Sequence, residues 1–225
     1  AISSTGSLIF LLVGLVGGIF SGAGVVISRY FGAGDIKEVQ RAIHTTICFG
    51  LIAGLTLTVL GSILAPEILK LMGTPESVFP NAVLYVRIYF GGILTIVMYN
   101  TASGIFQAVG DSKRPLYFLI ISSITNVVLD LLFVVVFNMG IGGAAIATVI
   151  AQAVSAFLAF RHLICTKDVY KVSLKKVALH IDMLKQILKM GIPSGIQNSV
   201  IALANIVVQS NINSFDAVAV AGCGA

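Results

Sequence analysis

The sequence predicts an all-α protein, a polytopic bundle of transmembrane helices. Hydrophobic residues make up 57% of the 225 residues and charged residues 10%, with a mean hydropathy of +1.03, whereas soluble domains carry about 25% charged residues. The 23 glycines are scattered through the apolar runs, as in membrane helices that pack closely. Six apolar stretches reach the length of about 20 residues that a bilayer crossing requires.

These six predicted spans cover residues 8–27, 43–65, 83–109, 116–137, 141–160 and 192–212. Glycine and proline mark most of the breaks between them. The breaks fall at 32–35, 66–80, 110–115, 139–143 and 161–189. Pro66 is expected to lie in the break after the second span, and Pro193 in the first turn of the last helix.

Basic residues orient the predicted spans. Twelve of the 14 Lys and Arg residues lie in three segments, 29–41, 113–114 and 161–189. These segments alternate with connections that hold only Lys70 and Arg87. The positive-inside rule therefore places all three segments in the cytoplasm and residue 1 outside. A chain with a cytoplasmic start would need an odd number of further helices upstream, and we expect the sequence to be a fragment.

The long polar connector has two interpretations. Its lysines alternate with Val, Leu and Ile, a pattern that favours an amphipathic helix on an anionic membrane surface. The alternative is a solvated loop that supplies topology charge. The lysines concerned are Lys171, Lys175, Lys176, Lys185 and Lys189.

Asp130 is the candidate functional residue with the clearest physical reason. It lies about 15 residues into the fourth predicted helix, which at about 1.5 Å per residue places it inside the bilayer. A carboxylate there costs about 2.5–3.5 kcal/mol, so it needs partners or water. Asn126, one helical turn earlier, shares its face. A purely structural Asp, bonded to a neighbouring helix, is the alternative.

Polar stripes on three other predicted helices could face this carboxylate. Each stripe is either interhelical hydrogen bonding or the lining of a water-filled cavity, and several stripes around one carboxylate favour the cavity. The candidates for the substrate cavity are Asn100, Gln107, Gln152, Gln197, Asn198 and Asn205.

Several classes of function find no support in the residues. The net charge of +5 comes from basic residues without interleaved aromatics, so nucleic-acid binding is not expected. The three cysteines and three histidines form no CxxC pair and no ligand spacing, so we expect no metal centre and no cofactor. Paired carboxylates, HExxH and GxSxG are missing from the sequence, and an enzyme is not expected.

The chain resembles the multidrug and toxic compound extrusion (MATE) transporters. The stretches that carry this resemblance occur in the family's order along nearly the whole chain. They are VVISRYFGAGD at 25–35, QAVGD at 107–111 with Pro115, NVVLD at 126–130, GAAIAT at 143–148 and GIP at 191–193. The family has twelve helices in two six-helix lobes, and this chain resembles helices two to seven.

The resemblance implies residues 1–165 as the amino-terminal lobe without its first helix, 166–189 as a cytoplasmic connector and 190–225 as the first helix of the other lobe. It implies that Asn126, Asp130 and Thr148 form a cation-linked cluster, joined by Ser103 or Asn100. It also implies a multi-pass cell-membrane antiporter that exports organic, often cationic, solutes in exchange for H⁺ or Na⁺. We expect this transporter to act as a monomer.

Three alternatives remain at the level of sequence. A lipid-linked oligosaccharide flippase of the same superfamily would need arginines in its cavity, whereas the basic residues here lie almost entirely in the predicted cytoplasmic segments. A non-transporting membrane scaffold would tolerate Asp130→Asn. A membrane enzyme has the least support. Protonation or Na⁺ binding at Asp130 would couple an ion to a change in helix packing, and the residues alone do not choose between the two ions.

Overall fold

The computed structural model describes residues 2–71, 79–173 and 177–213, without the side chains of residues 2–16, 68, 71, 81–82, 141, 202–203 and 205–213. The described residues form helices joined by turns and one non-helical connector, with no strand among them. The helices are α1 (Ile2–Gly32), α2 (Ile36–Leu71), α3 (Phe79–Gly91), α4 (Ile93–Ala108), α5 (Lys113–Asp130), α6 (Gly140–Cys165) and α7 (Ile181–Asn213), and a π-helical segment, Leu131–Val136, continues α5.

Each predicted span falls on a helix of the structure. Within the described residues, α2, α6 and α5 with its π-helical continuation are each long and apolar enough to cross a membrane alone. The third predicted span is a bent pair, in which α3 and α4 meet at an angle of 43°. Gly92 forms the bend, and a Cβ atom there would lie 2.6 Å from Val149 Cγ1. The break therefore lets the backbone press against α6.

The three basic segments meet at one end of the bundle, as their alternation along the chain predicts. Arg41 of α2 forms an ion pair with Asp182 of α7 at 2.6 Å. Arg114 of α5 contacts Asp168 of the connector at 3.8 Å. We call this the connector end. Its assignment to the cytoplasm stays a prediction.

The most tightly packed core lies toward the connector end. Its fully buried side chains come from α1, α2, α4, α6, α7 and the connector. They include Ile27, Ile43, Phe106, Leu163, Val172 and Ile187. The α5 span packs more loosely, because it buries only 6% of its most apolar window among the described residues.

Helix α1 packs against α7 with backbone on backbone. A Cβ atom at Gly22 would lie 2.7 Å from Ile187 O, and one at Gly18 would lie 2.7 Å from Gly191 O. Only glycine permits such an approach, as in other small-residue helix pairs. We call the contact of Gly18 and Gly22 with Gly191 and Gly195 the glycine seam. The face of α1 that carries Gly18 and Gly22 is therefore a helix-packing face.

The connector is non-helical and bound to α2, so the predicted interfacial helix is wrong over residues 166–173 and 177–180. The Gln40 side-chain amide donates to the Val169 carbonyl, and the Ser173 N–H donates to His44 Nε2 at 3.3 Å. The His180 N–H donates to Thr45 Oγ1 at 3.2 Å. These side chains satisfy backbone groups that a helix would otherwise pair.

The lysines of the predicted interfacial helix therefore separate into three groups. Lys171 lies in the non-helical part of the connector, while Lys185 and Lys189 belong to α7. Lys175 and Lys176 lie outside the described residues. Helix α7 begins at Ile181, within the segment that the sequence assigns to the connector.

A polar cluster holds the connector against the start of α5. Arg114 pairs with Asp111 at 2.8 Å and donates to the Tyr170 hydroxyl. That hydroxyl donates to Asp168 Oδ2 at 2.7 Å, as does Thr166 Oγ1 at the same distance. The Tyr170 hydrogen bond, followed by that of Thr166, lowers the pKa of Asp168 below its ordinary value.

Two prolines lie inside helices and not at the positions that the sequence predicts. Pro66 lies within α2, which continues to Leu71. Pro193 lies in the interior of α7 and not in its first turn, because the helix begins at Ile181. Proline is tolerated inside membrane helices where neighbouring groups satisfy the freed carbonyl.

Candidate functional site

Two contacts fix how α5 packs against α6. Ser122 Oγ donates to the Ala151 carbonyl at 2.7 Å, and a Cβ atom at Gly143 would lie 3.1 Å from Phe133 Cβ. The two helices are therefore antiparallel, and the stretch of α5 between Ser122 and Phe133 lies alongside the stretch of α6 between Gly143 and Ala151. This interface is the first candidate site.

Three of the predicted site residues lie along this interface. Asn126 and Asp130 follow Ser122 at successive helical turns of α5, so they share its face toward α6. Thr148 lies on the facing stretch of α6, where its hydroxyl donates to the Ala144 carbonyl at 3.0 Å. The lone pairs of that hydroxyl stay available to accept a hydrogen bond or to bind a cation.

Unsatisfied polar atoms occur on both helices of this interface, as they do elsewhere at Thr58 Oγ1 and His162 Nε2. Asn126 Nδ2, Asp130 Oδ1 and Gln152 Oε1 are buried, and within the described part of the chain none of them has a hydrogen-bond partner. A buried polar atom without a partner costs about 1–3 kcal/mol. Three such atoms between the same two helices are typical of a site that waits for a ligand, an ion or a proton.

The helix changes its geometry immediately after Asp130. Leu131–Val136 is π-helical, and the Phe137 N–H donates to the Leu132 carbonyl five residues earlier at 3.0 Å. Short π-helical segments are rare and often lie at functional sites. Sequence reasoning missed this segment, because LLFVVV is as apolar as the helix before it and shows no change of period.

A second candidate site is a cleft of about 620 Å³ between α1 and α4. It contains three of the predicted residues. Asn100 and Gln107 are exposed in it, and Gln107 Nε2 donates to Ser103 Oγ at 3.3 Å. Ser103 therefore lies with the predicted cavity residues, and its recorded hydrogen bond goes to Gln107 and not to the α5–α6 interface.

Two hydroxyls of α1 complete this cleft and were missed from the sequence. Ser21 and Ser28 line it opposite α4. They are seven residues apart, which puts them on one face of the helix. That spacing is a usable signal only once α1 is known to pack against α4. The lining residues of the cleft include no charged side chain.

Helix α7 contributes less to either site. Gln197 and Asn198 are exposed, and the side chain of Asn205 lies outside the described residues. Ser199 is buried and donates to the Gly195 carbonyl at 2.8 Å. The assignment of these α7 residues to a cavity stays a prediction. Within the described residues, no group of three or more His, Cys, Asp or Glu side chains is placed to hold a metal ion.

The chain matches one protein family and several curated proteins. The model of the MatE family matches residues 1–132. The chain belongs to the MATE family. It is 33% identical to "Probable multidrug resistance protein YoeA" and 34% identical to "Probable multidrug resistance protein YpnP", both of Bacillus subtilis, over 100% of this chain and 50% of each relative. The chain thus spans about half the length of the curated relatives it matches.

Solved MATE structures share the fold. "Crystal structure of MATE in the bent conformation" superposes with a TM-score of 0.84 at 26% identity, over 95% of this chain and 48% of that one. An outward-facing MATE transporter of the MOP superfamily gives 0.81 at 25% identity, over 93% and 47%. The MATE relationship confirms a multi-pass membrane protein built from a helical bundle, and none of these matches indicates a catalytic family.

Proposed function

We propose that the full-length protein is a secondary active antiporter that exports organic, often cationic, solutes in exchange for H⁺ or Na⁺. The observation that carries this proposal is the α5–α6 interface, where the carboxylate of Asp130 has a buried oxygen without a partner. Asn126 and Gln152 each add a buried unsatisfied atom to the same interface. Curated relatives carry multidrug resistance and multidrug export in their names, which supports the class of solute.

The coupling ion, H⁺ or Na⁺, neutralises the charge of the Asp130 carboxylate. An empty, ionised carboxylate between two helices favours water and a loose interface, whereas a protonated or Na⁺-bound carboxylate favours a closed one. Asn126 and Thr148 offer the neutral oxygens that Na⁺ would need. Asn126 Nδ2 offers a donor that would hold the carboxylate in place between ion-binding events. The π-helical segment beyond Asp130 gives α5 a second backbone geometry at this point.

The solute is assigned to the α1–α4 cleft. Its hydroxyl and amide groups can hydrogen-bond to many solutes, and Gly17, Gly24 and Phe20 supply apolar contact. Because no Arg or Lys lines it, the cleft repels no cation and lacks the phosphate ligands that a lipid-linked oligosaccharide flippase would need. The described residues therefore favour the antiporter over the flippase.

Everted membrane vesicles that contain the full-length protein test this function. A fluorescent organic cation should move into the vesicle lumen, the direction of efflux, when a proton or sodium gradient is imposed. Collapsing the proton gradient, the sodium gradient or both identifies the coupling ion. Movement that persists with both gradients collapsed and stops only when ATP is removed would overturn secondary transport.

A further inference from the structure

A second cleft, of about 220 Å³, lies between α1 and α7 near the connector end. Three residues of each helix line it. They are Val25, Val26 and Arg29 of α1, and Gln186, Lys189 and Met190 of α7. The cleft shares Val25 with the α1–α4 cleft but is otherwise lined by different residues, and neither candidate site explains its charge.

Two cations share this cleft, and its lining residues include no carboxylate. Arg29 and Lys189 are exposed and have no ion pair within the described part of the chain. Asp182, which lies two helical turns before Lys189 in α7, already pairs with Arg41 at 2.6 Å. Gln186 is also engaged, because its Oε1 accepts from the Tyr30 hydroxyl at 2.9 Å. Two like charges in one cleft are stabilised by an anion that binds between them.

The cleft is apolar on its membrane side. The glycine seam adjoins the cleft, because Gly191 follows Lys189 by two residues and Gly22 precedes Val25 by three. Between the seam and the cations, Val25 is 48% exposed and Met190 is 41% exposed. An inorganic anion would leave these apolar side chains unmatched. A phospholipid matches both parts, since its phosphate lies at the level of Arg29 and Lys189 and its acyl chains lie along the apolar surface.

We propose that this cleft binds the phosphate headgroup of an anionic phospholipid from the leaflet at the connector end. Basic clefts between membrane helices next to an anionic leaflet are suited to such headgroups. Arg29 presents a planar fork that binds two phosphate oxygens, and Lys189 adds a flexible ammonium. Because one cation belongs to α1 and the other to α7, the bound lipid ties the two helices together at the end of the glycine seam.

Native mass spectrometry of the purified full-length protein tests this proposal. Phosphatidylglycerol and phosphatidylcholine with the same acyl chains are titrated, and the apparent Kd of the first bound lipid is measured. Each basic residue is worth about fivefold in affinity for an anionic lipid. Arg29→Gln/Lys189→Gln should therefore weaken phosphatidylglycerol binding by about 25-fold and bring it to the level of phosphatidylcholine.

Two matched variants make the result specific. Lys113→Gln/Lys167→Gln removes the same charge from exposed positions at the connector end and should leave the Kd for phosphatidylglycerol unchanged. Arg29→Lys/Lys189→Arg keeps the charges and should retain binding within a few-fold. Equal binding of both lipids by the natural protein, or an unchanged Kd in Arg29→Gln/Lys189→Gln, would overturn the proposal. So would displacement of phosphatidylglycerol by millimolar inorganic phosphate, which would indicate a free-anion site.

Discussion

The connector end and the α5–α6 interface differ in how far their polar groups are paired, although His162 Nε2 near the connector end is also buried without a partner within the described residues. At the connector end, water is available, yet Arg41, Arg114 and Tyr170 all have hydrogen-bonded partners. At the α5–α6 interface, where no bulk water compensates, Asp130 and Gln152 each keep a buried atom without a partner. Surface pairs of the first kind contribute about 0–1 kcal/mol each. The unpaired atoms of the second kind carry a cost that folding alone does not explain.

The difference separates polar groups that stabilise the fold from polar groups that are kept free for function. At the connector end, these pairs help to fix a non-helical segment, together with the buried side chains of Tyr170 and Val172. The α5–α6 interface gives up stability and keeps polar atoms free for something that arrives and leaves. Substitutions of polar residues in the two regions test this difference.

The largest effect is expected for Asp130→Asn. The amide keeps the size of the side chain but cannot ionise, so gradient-driven efflux should fall to the level measured with the gradients collapsed. Folding and membrane insertion should persist, because the substitution removes an insertion cost of about 2.5–3.5 kcal/mol. Transport in vesicles at matched expression is the measurement. Asp111→Asn, which breaks the surface pair with Arg114, is the control and should transport normally. Near-normal coupled efflux in Asp130→Asn would make Asp130 structural.

A smaller and opposite pair of effects is expected for Gln152→Leu and Ser122→Ala. Gln152 Oε1 has no partner within the described residues, so Gln152→Leu should raise the free energy of unfolding by about 1 kcal/mol while it lowers coupled efflux. Ser122 makes a hydrogen bond to α6, so Ser122→Ala should lower the free energy of unfolding by about 1 kcal/mol. Thermal unfolding of the purified protein compares the two. A destabilised Gln152→Leu would show that this side chain has a structural partner.

The smallest effect concerns the Asp168 carboxylate in the connector. Its pKa is lowered by the Tyr170 hydroxyl and by Thr166. Because its pKa is lower in the folded protein, the ionised Asp168 stabilises the folded connector at a pH above the ordinary pKa of Asp. This stabilisation is lost as the pH falls through the pKa of the folded protein. Cleavage of the connector by pepsin should therefore rise as the pH falls below about 4. The variant Asp168→Asn should be cleaved faster than the natural protein at the upper end of this pH range, and its cleavage should rise less as the pH falls. A pH profile identical to that of the natural protein would contradict the assignment.

Hydropathy predicted the six spans because it is a local property of the chain. The Asp130 hypothesis also needed only local reasoning, since an acid deep in an apolar run is costly wherever its neighbours lie. The prediction of an interfacial helix for the connector was wrong because of contacts with a distant part of the chain. Its Lys and Val pattern favours a helix, but His44 and Thr45 of α2 bind its backbone.

Other features of the site could not be read from one helix at a time. Ser21 and Ser28 become site residues only when α1 packs against α4. Pro66 was assigned to a loop by a rule for water-soluble helices, which a bilayer relaxes. The π-helical segment packs against α6, where Gly143 leaves room for Phe133, and this contact is not visible from either helix alone.

The π-helical segment has a consequence for the register of the chain. A hydrogen bond that spans five residues encloses one residue more than an α-helical bond, so Leu131–Val136 holds a surplus residue within the length of the span. Deleting one residue there would return the segment to an α-helix and leave Asp130 in place. The side chains beyond the deletion would stay close to their present positions, because the residue removed is the one that the wider turn absorbs. The segment thus adds one residue between Asp130 and the turn at Asn138 without changing the face of α5 that carries the acid.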